Sequence, residues 1–166
     1  MSIEAKTGLV VVASHYESGG QRAEELMEAA VQSMKDRMVV PAVGSKTVWD
    51  AADAIDVCKE FKEQGVDSLT VILSTWVTDS LLYVLVHEMQ IPVVFWAVPY
   101  TETFSIGCVQ HFGSALTTHG IPYDYVYGLT NDKAAADKVA KIAEVGRIMK
   151  LSLIHISEPT RQEAIS

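Results

Sequence analysis

The chain has 166 residues, 49% of them apolar, enough for one domain with a sizeable core. Its net charge of −8 argues against a nucleic-acid or anionic-membrane surface, since both need clustered Lys and Arg. No apolar run approaches the ~20 residues that span a bilayer, and Met1–Lys6 lacks the basic-then-apolar pattern of a signal peptide.

In chain order, Gly8–Ser14 reads as a fully buried first strand and His15–Gly20 as the loop after it. Gln21–Asp36 has helical spacing, with Ala23, Met27, Ala30 and Met34 on one face. Met38–Val43 is a second strand. Thr47 is placed to cap the next helix, with Asp50 three residues on and Val48, Ala51, Ile55, Cys58 and Phe61 as its inward stripe. Gly65 ends that helix. Leu69–Leu73, Ser80–Met89 and Val93–Val98 then read as strand, helix and strand. Ser105–His119 is a fourth helix despite Gly107 and Gly113, and Tyr123–Tyr127 is a fifth strand after Ile121-Pro122. Thr130 caps a last helix whose buried stripe is Ala135, Val139, Ile142, Val145 and Met149.

Five strands alternating with helices predict an α/β, three-layer, doubly wound parallel sheet. The expected order is 2-1-3-4-5, as in flavodoxin-like and Rossmann-like folds. Leu151–Ser166 is set apart. Leu151–Arg161 is the peptide obtained when a sequencing-library adapter is translated in frame, so the expected domain is 1–150 and 151–166 is a non-native tail.

In such a sheet, ligands bind beyond the carboxyl ends of the strands. The loops there hold Thr75, Trp76, Thr78 and Asp79, then Pro99, Tyr100, Thr101, Thr103 and Ser105: aromatic rings and small hydroxyls with almost no charge. That composition suits a neutral polyhydroxy ligand. Trp76 and Trp96 serve either as packing or as a stacking platform for a pyranose. The loop His15–Gly20 is either a generic strand-to-helix turn or, through His15, Tyr16 or Gln21, a ligand contact. It has neither the G-x-G-x-x-G of a dinucleotide fold nor the Gly-Lys-Ser/Thr of a P-loop, and no G-x-S-x-G elbow occurs. A receiver domain needs an acidic pocket after strand 1, and Ser14-His15-Tyr16 does not provide one; Glu17 and Gly19-Gly20 poorly imitate a flavin phosphate loop. Glu17, Asp79 and Glu102 are the carboxylates nearest this face, with Asp79 read as a helix cap. Among the five histidines, His111 and His119 are eight apart and do not form a helical metal pair. Cys58 and Cys108 read as buried reduced thiols, pointing to a cytoplasmic protein.

Thr75-Trp-x-x-Asp-Ser80, Ile91–Pro99 (IPVVFWAVP), T-x-S-x-G-x-x-Q-x-x-G over 103–113 and Y-x-Y-V-Y-G over 123–128 resemble the N-terminal region of the L-fucose/L-arabinose isomerase family. The resemblance covers about Gly8–Lys150. It implies the substrate-side and oligomerisation domain of an aldose–ketose isomerase, catalytically incomplete by itself. It also implies a manganese ion in the complete enzyme, held by carboxylates and histidines of later domains, with no catalytic or metal residue in this chain. The ion acts there as a Lewis acid on the sugar oxygens. The positions matching the family's substrate wall are the loop with His15, Tyr16 and Gln21 and the stretch with Tyr100, Thr103, Ser105 and Gln110; Trp76 joins them as the candidate platform. The arabinose enzymes carry a histidine where Ser105 and Gly107 stand, so the sugar is left open. The implied partners are a neutral sugar and, at full length, further copies of the chain. Apolar positions near Phe104, Phe112 and the end of the last helix are expected to face those missing parts. The reading from another class is a stand-alone flavodoxin-like binding or regulatory module.

Overall fold

A computed structural model describes residues 4–35, 37 and 39–157, the last five as backbone. The strands are β1 (Ala5–Val12), β2 (Val39–Val43), β3 (Ser68–Leu73), β4 (Val93–Ala97) and β5 (Tyr123–Tyr127). All pair in parallel, in the order β2-β1-β3-β4-β5. The helices are α1 (Ala23–Met34, after a 3-10 turn at Gly20–Arg22), α2 (Ala51–Gln64), α3 (Asp79–Met89), α4 (Ser105–Thr118) and α5 (Lys133–Ser157). This is the expected three-layer, doubly wound α/β fold of flavodoxin-like topology.

Strand alternation divides the core. Val10, Val12, Leu69, Val71, Leu73, Phe95 and Ala97 face α2, α3 and α4. Leu9, Val11, Ile72, Val94, Trp96 and Val126 face α1 and α5. With both faces covered, β3 and β4 are buried at every residue, which is why they read as continuous apolar runs. No described helix is long and apolar enough to cross a membrane.

β1 begins earlier than its apolar run, because Ala5, Lys6 and Thr7 pair with Val39, Val40 and Pro41. Buried Thr7 is accommodated by hydroxyl contacts to Thr70 (2.9 Å) and Ser68 (3.0 Å) beneath α5. The expected ends at Asp36 and Met38 lie outside the described residues, and α5 runs through Ser157.

Three expectations about helices are corrected. Asp50, not Thr47, caps α2: its carboxylate accepts the Asp53 N–H at 2.9 Å while Asp53 accepts the Trp49 N–H at 3.2 Å. Val48 instead forms a β-bridge with Val12, which keeps the preceding segment extended. The inward face of α2 is therefore Ala54, Val57, Cys58 and Phe61, with Ala51 and Ile55 exposed. On α5 the buried face is Ala135, Ala136, Val139, Ala140 and Ala143, while Val145 and Met149 are half exposed. Alanine wins there because it lets the helix backbone close onto the sheet; at Gly146 even a Cβ would come within 2.6 Å of the Asp67 carbonyl oxygen.

The same logic explains Gly107 and Gly113 within α4. A Cβ at Gly113 would strike the Tyr123 hydroxyl and ring, which Phe95 and the sheet hold in place. A Cβ at Gly107 would first meet the Phe104 ring, 64% exposed and able to swing aside. Gly113→Ala should therefore cost about 1–2 kcal/mol, overpacking outweighing the helix propensity of alanine, while Gly107→Ala should be near neutral. Urea unfolding of both variants checks this; equal effects would refute it. Phe112, expected at the surface, is fully buried against Phe95 and Tyr83. Phe104, Val145, Ile148 and Met149 are exposed.

Candidate functional site

In a 2-1-3-4-5 sheet the chain leaves β1 toward one face and β3 toward the other, opening a crevice at their carboxyl ends. Here that crevice encloses about 260 Å³ and is lined by Ser14, His15, Tyr16, Trp49, Asp50, Thr78 and Ser80 with small apolar residues beneath. Its principal surface is a stacked ring pair: the His15 and Trp49 centroids are 4.3 Å apart and their planes differ by 7°. Tyr16 stands beside it, 97% exposed.

Local backbone chemistry sets this arrangement. Gly19 has φ 113°, a left-handed conformation that L side chains rarely adopt, and a Cβ there would strike the Thr103 methyl group. A Cβ on Gly20 would come within 2.7 Å of the Trp49 ring. The two glycines thus let the loop after β1 close against the loops after β2 and β4. Ser74 Oγ donates to the Gly19 carbonyl at 2.8 Å, and the Ser14 N–H donates to Thr75 Oγ1 at 2.8 Å. Gln21 is exposed, and its Oε1 accepts the Gly19 N–H at 3.1 Å, steadying the same turn.

A second cluster sits beside the first, at the end of β4. The Arg22 guanidinium lies 4.3 Å above the Tyr100 ring centroid and pairs with Glu102. Glu102 is held below the ordinary carboxylate range, chiefly by its own backbone N–H and then by Arg22. Arg22 Nη1 is buried without a hydrogen-bond partner among the described residues. Charge and cation–π contact thus hold the loop after β4 against the start of α1.

The remaining candidates have other duties. Thr103 is fully buried: its hydroxyl donates to the Tyr100 carbonyl at 2.9 Å and its carbonyl accepts the Trp76 N–H at 2.8 Å. Ser105 is equally buried, donating to the Leu73 carbonyl at 2.7 Å and accepting the Val98 N–H at 3.0 Å. Both brace the loops from within. Gln110 is exposed on α4, outside the crevice. Trp76 is partly exposed, as expected, yet packs on the α2–α4 side and does not line the crevice. Trp96 lies on the opposite face of the sheet, so the two indoles do not share a rim.

The ring that completes the platform, Trp49, and the cation Arg22 escaped the sequence reading. Trp49 follows the second strand, hence lies at the same sheet end as His15, and that placement was the available signal. Asp79 does not cap α3 through its side chain; its carboxylate lies 3.1 Å from His111 Nε2. Among the described residues no three His, Cys, Asp or Glu side chains are placed to hold a metal, and the Asp79–His111 pair offers two donors only. Both cysteines are buried free thiols, pushed up to about 11 by burial. No family model and no curated protein matches this chain.

Proposed function

We propose that the chain is the substrate-side N-terminal domain of an aldose–ketose isomerase of the L-fucose/L-arabinose type, offering the β1/β3 crevice to a neutral sugar. The observation that carries this is the exposed His15 ring stacked on Trp49 in a crevice also lined by Tyr16, Ser14, Thr78 and Ser80. An aromatic face covers the C–H face of a sugar ring, and small hydroxyls bond its rim. The crevice's one carboxylate, Asp50, is engaged in capping α2. These residues would bind and orient; none is arranged to move a proton from carbon. The manganese ion of that chemistry does not fit the described residues, so no step is assigned through it. In this reading the metal ligands lie in later domains, residues 151–166 are a foreign tail, and the complete protein is a cytoplasmic oligomer. The exposed Phe104, Val145, Ile148 and Met149 support contacts beyond this chain.

One observation favours the stand-alone binding or regulatory module: the sheet is covered on both faces, so the core needs no second domain. The full chain titrated with L-fucose and L-arabinose should show saturable quenching of tryptophan fluorescence that Trp49→Phe and His15→Ala each weaken several-fold. It should turn over no aldose, with or without manganese. Turnover by this chain, or sugar binding indifferent to both substitutions, would refute the assignment. The downstream sequence of the gene separates the two readings: several hundred further residues with Glu, Asp and His ligands support the isomerase, and a stop near Lys150 supports the module.

A further inference from the structure

β5 ends the sheet, and among the described residues no strand lies on its outer side. Backbone groups alternate in direction along a strand. The Gly128 N–H donates inward to the Ala97 carbonyl at 3.1 Å, so Val126 and Asp124 also present their backbones to β4. Those of Tyr123, Tyr125 and Tyr127 therefore face outward, where a sixth strand would bond.

At the middle of these three, both outward groups are already taken by side chains. The Tyr125 N–H donates to Asp124 Oδ1 at 2.7 Å, and Lys138 Nζ, reaching from α5, donates to the Tyr125 carbonyl at 2.6 Å. Lys138 Nζ also donates to the same Asp124 Oδ1 at 2.9 Å, which closes a ring of three bonds. An acceptor for the N–H and a donor for the carbonyl are what a neighbouring strand would supply at that residue. Burial does not demand the ring: Asp124 and Lys138 are each 48% exposed, where water serves such groups equally well. The opposite edge is blunted by other means, since β2 contains Pro41, which has no N–H to offer.

The strand itself is complementary to a copy of itself. β5 reads Tyr-Asp-Tyr-Val-Tyr, and its outward positions are a palindrome about Tyr125. Two copies related by a two-fold axis through Tyr125 would pair antiparallel, with Tyr123 opposite Tyr127 and Tyr125 opposite itself. Each outward N–H then meets a carbonyl, and each aromatic ring meets another. Tyr125 and Tyr127, 43% and 55% exposed, would gain cover. We propose that β5 is a surface for pairing with the β5 of a second copy, and that Asp124 and Lys138 hold it closed. The surface is separate from the crevice and does not depend on the isomerase reading.

Asp124→Ala/Lys138→Ala removes one charge of each sign, so the net charge stays at −8. In sedimentation equilibrium the full chain with both substitutions should dimerise at least about tenfold more tightly than the parent. The matched control Asp56→Ala/Lys59→Ala, an exposed pair on α2, should behave as the parent. Adding Tyr125→Pro deletes the outward N–H without touching the ladder to β4, and should return the double variant to parent behaviour. If the proline variant does not fold, amide exchange reads the same contact. The Tyr125 N–H of the double variant should exchange faster than the parent's when dilute and become protected as concentration rises. Self-association no tighter than the parent's would overturn the proposal, as would a gain that survives Tyr125→Pro or a dimer in which the Tyr125 amide stays unprotected.

Discussion

Trp96→Ala is expected to lower the unfolding free energy by about 3–5 kcal/mol, the range of large aromatic deletions in a packed core. Trp96 is fully buried on the inner strand β4, paired in register with Ile72 and Val126 and covered by the α1/α5 layer. Its indole N–H donates to the Gly128 carbonyl at 3.1 Å, so truncation also strips a buried acceptor at the end of β5. Trp96→Phe retains most of the volume and should lose about 1–2 kcal/mol, separating the hydrogen bond from the cavity. Trp76, partly exposed beyond β3 at the edge of the core, should cost less as Ala than Trp96 does, because a ring open to solvent on one side leaves no closed cavity. Denaturant unfolding of the three variants decides the matter. A thermally silent Trp96→Ala beside an unfolded Trp76→Ala would overturn it.

Asp67→Ala should be the next most damaging change, at about 2–4 kcal/mol. This carboxylate, 2% exposed, stands just before β3 and gathers three parts of the chain. Oδ2 accepts the Lys6 N–H at 2.9 Å, while Oδ1 lies 3.2 Å from both Arg147 Nη1 and Lys150 Nζ. The Asp67 N–H donates to the Lys6 carbonyl at 2.7 Å, closing a ring of bonds at the foot of β1 and β3. Removing the carboxylate leaves the Lys6 N–H and a largely buried guanidinium without their acceptor. Both cations retain some access to water, at 24% and 42% exposure, which keeps the loss below that of a fully buried pair. At ~2–4 °C per kcal/mol for a chain of this size, the melting temperature should fall by roughly 5–15 °C. Asp67→Asn retains an acceptor for Lys6 and should lose less than half as much, and Lys150→Ala under about 0.5 kcal/mol. A melting temperature for Asp67→Ala within a degree of the parent would show that α5 is held by its alanine face alone.

Strand identity and order were legible in the sequence because burial on both sides of a parallel sheet leaves a local trace. Leu69–Leu73 and Val93–Val98 are unbroken apolar runs, and the helical stretches between them demand crossovers. The core position of Trp96 followed from its neighbours Phe95 and Ala97 in the same way. Periodicity pointed to the wrong faces on α2 and α5. A helix pressed close to a sheet selects for small side chains, so Ala136, Ala140 and Ala143 are inside while the larger Val145 and Met149 are not. Apolar spacing scores the larger residues higher; only the packed structure shows which face has room.

The chemistry of the carboxyl ends was legible by class and illegible by residue. Aromatic rings and small hydroxyls were correctly placed at that end of the sheet, since every loop after a strand must lie there. Which ring meets which was decided by contacts between loops far apart in sequence: Trp49 on His15, Arg22 over Tyr100, Thr103 and Ser105 turned inward to bond Tyr100 and Leu73. A serine or threonine at a strand end reads the same from sequence whether its hydroxyl awaits a ligand or satisfies a backbone carbonyl. Desolvation separates the two: once buried, a hydroxyl must bond to its own protein, and burial is a property of the folded chain.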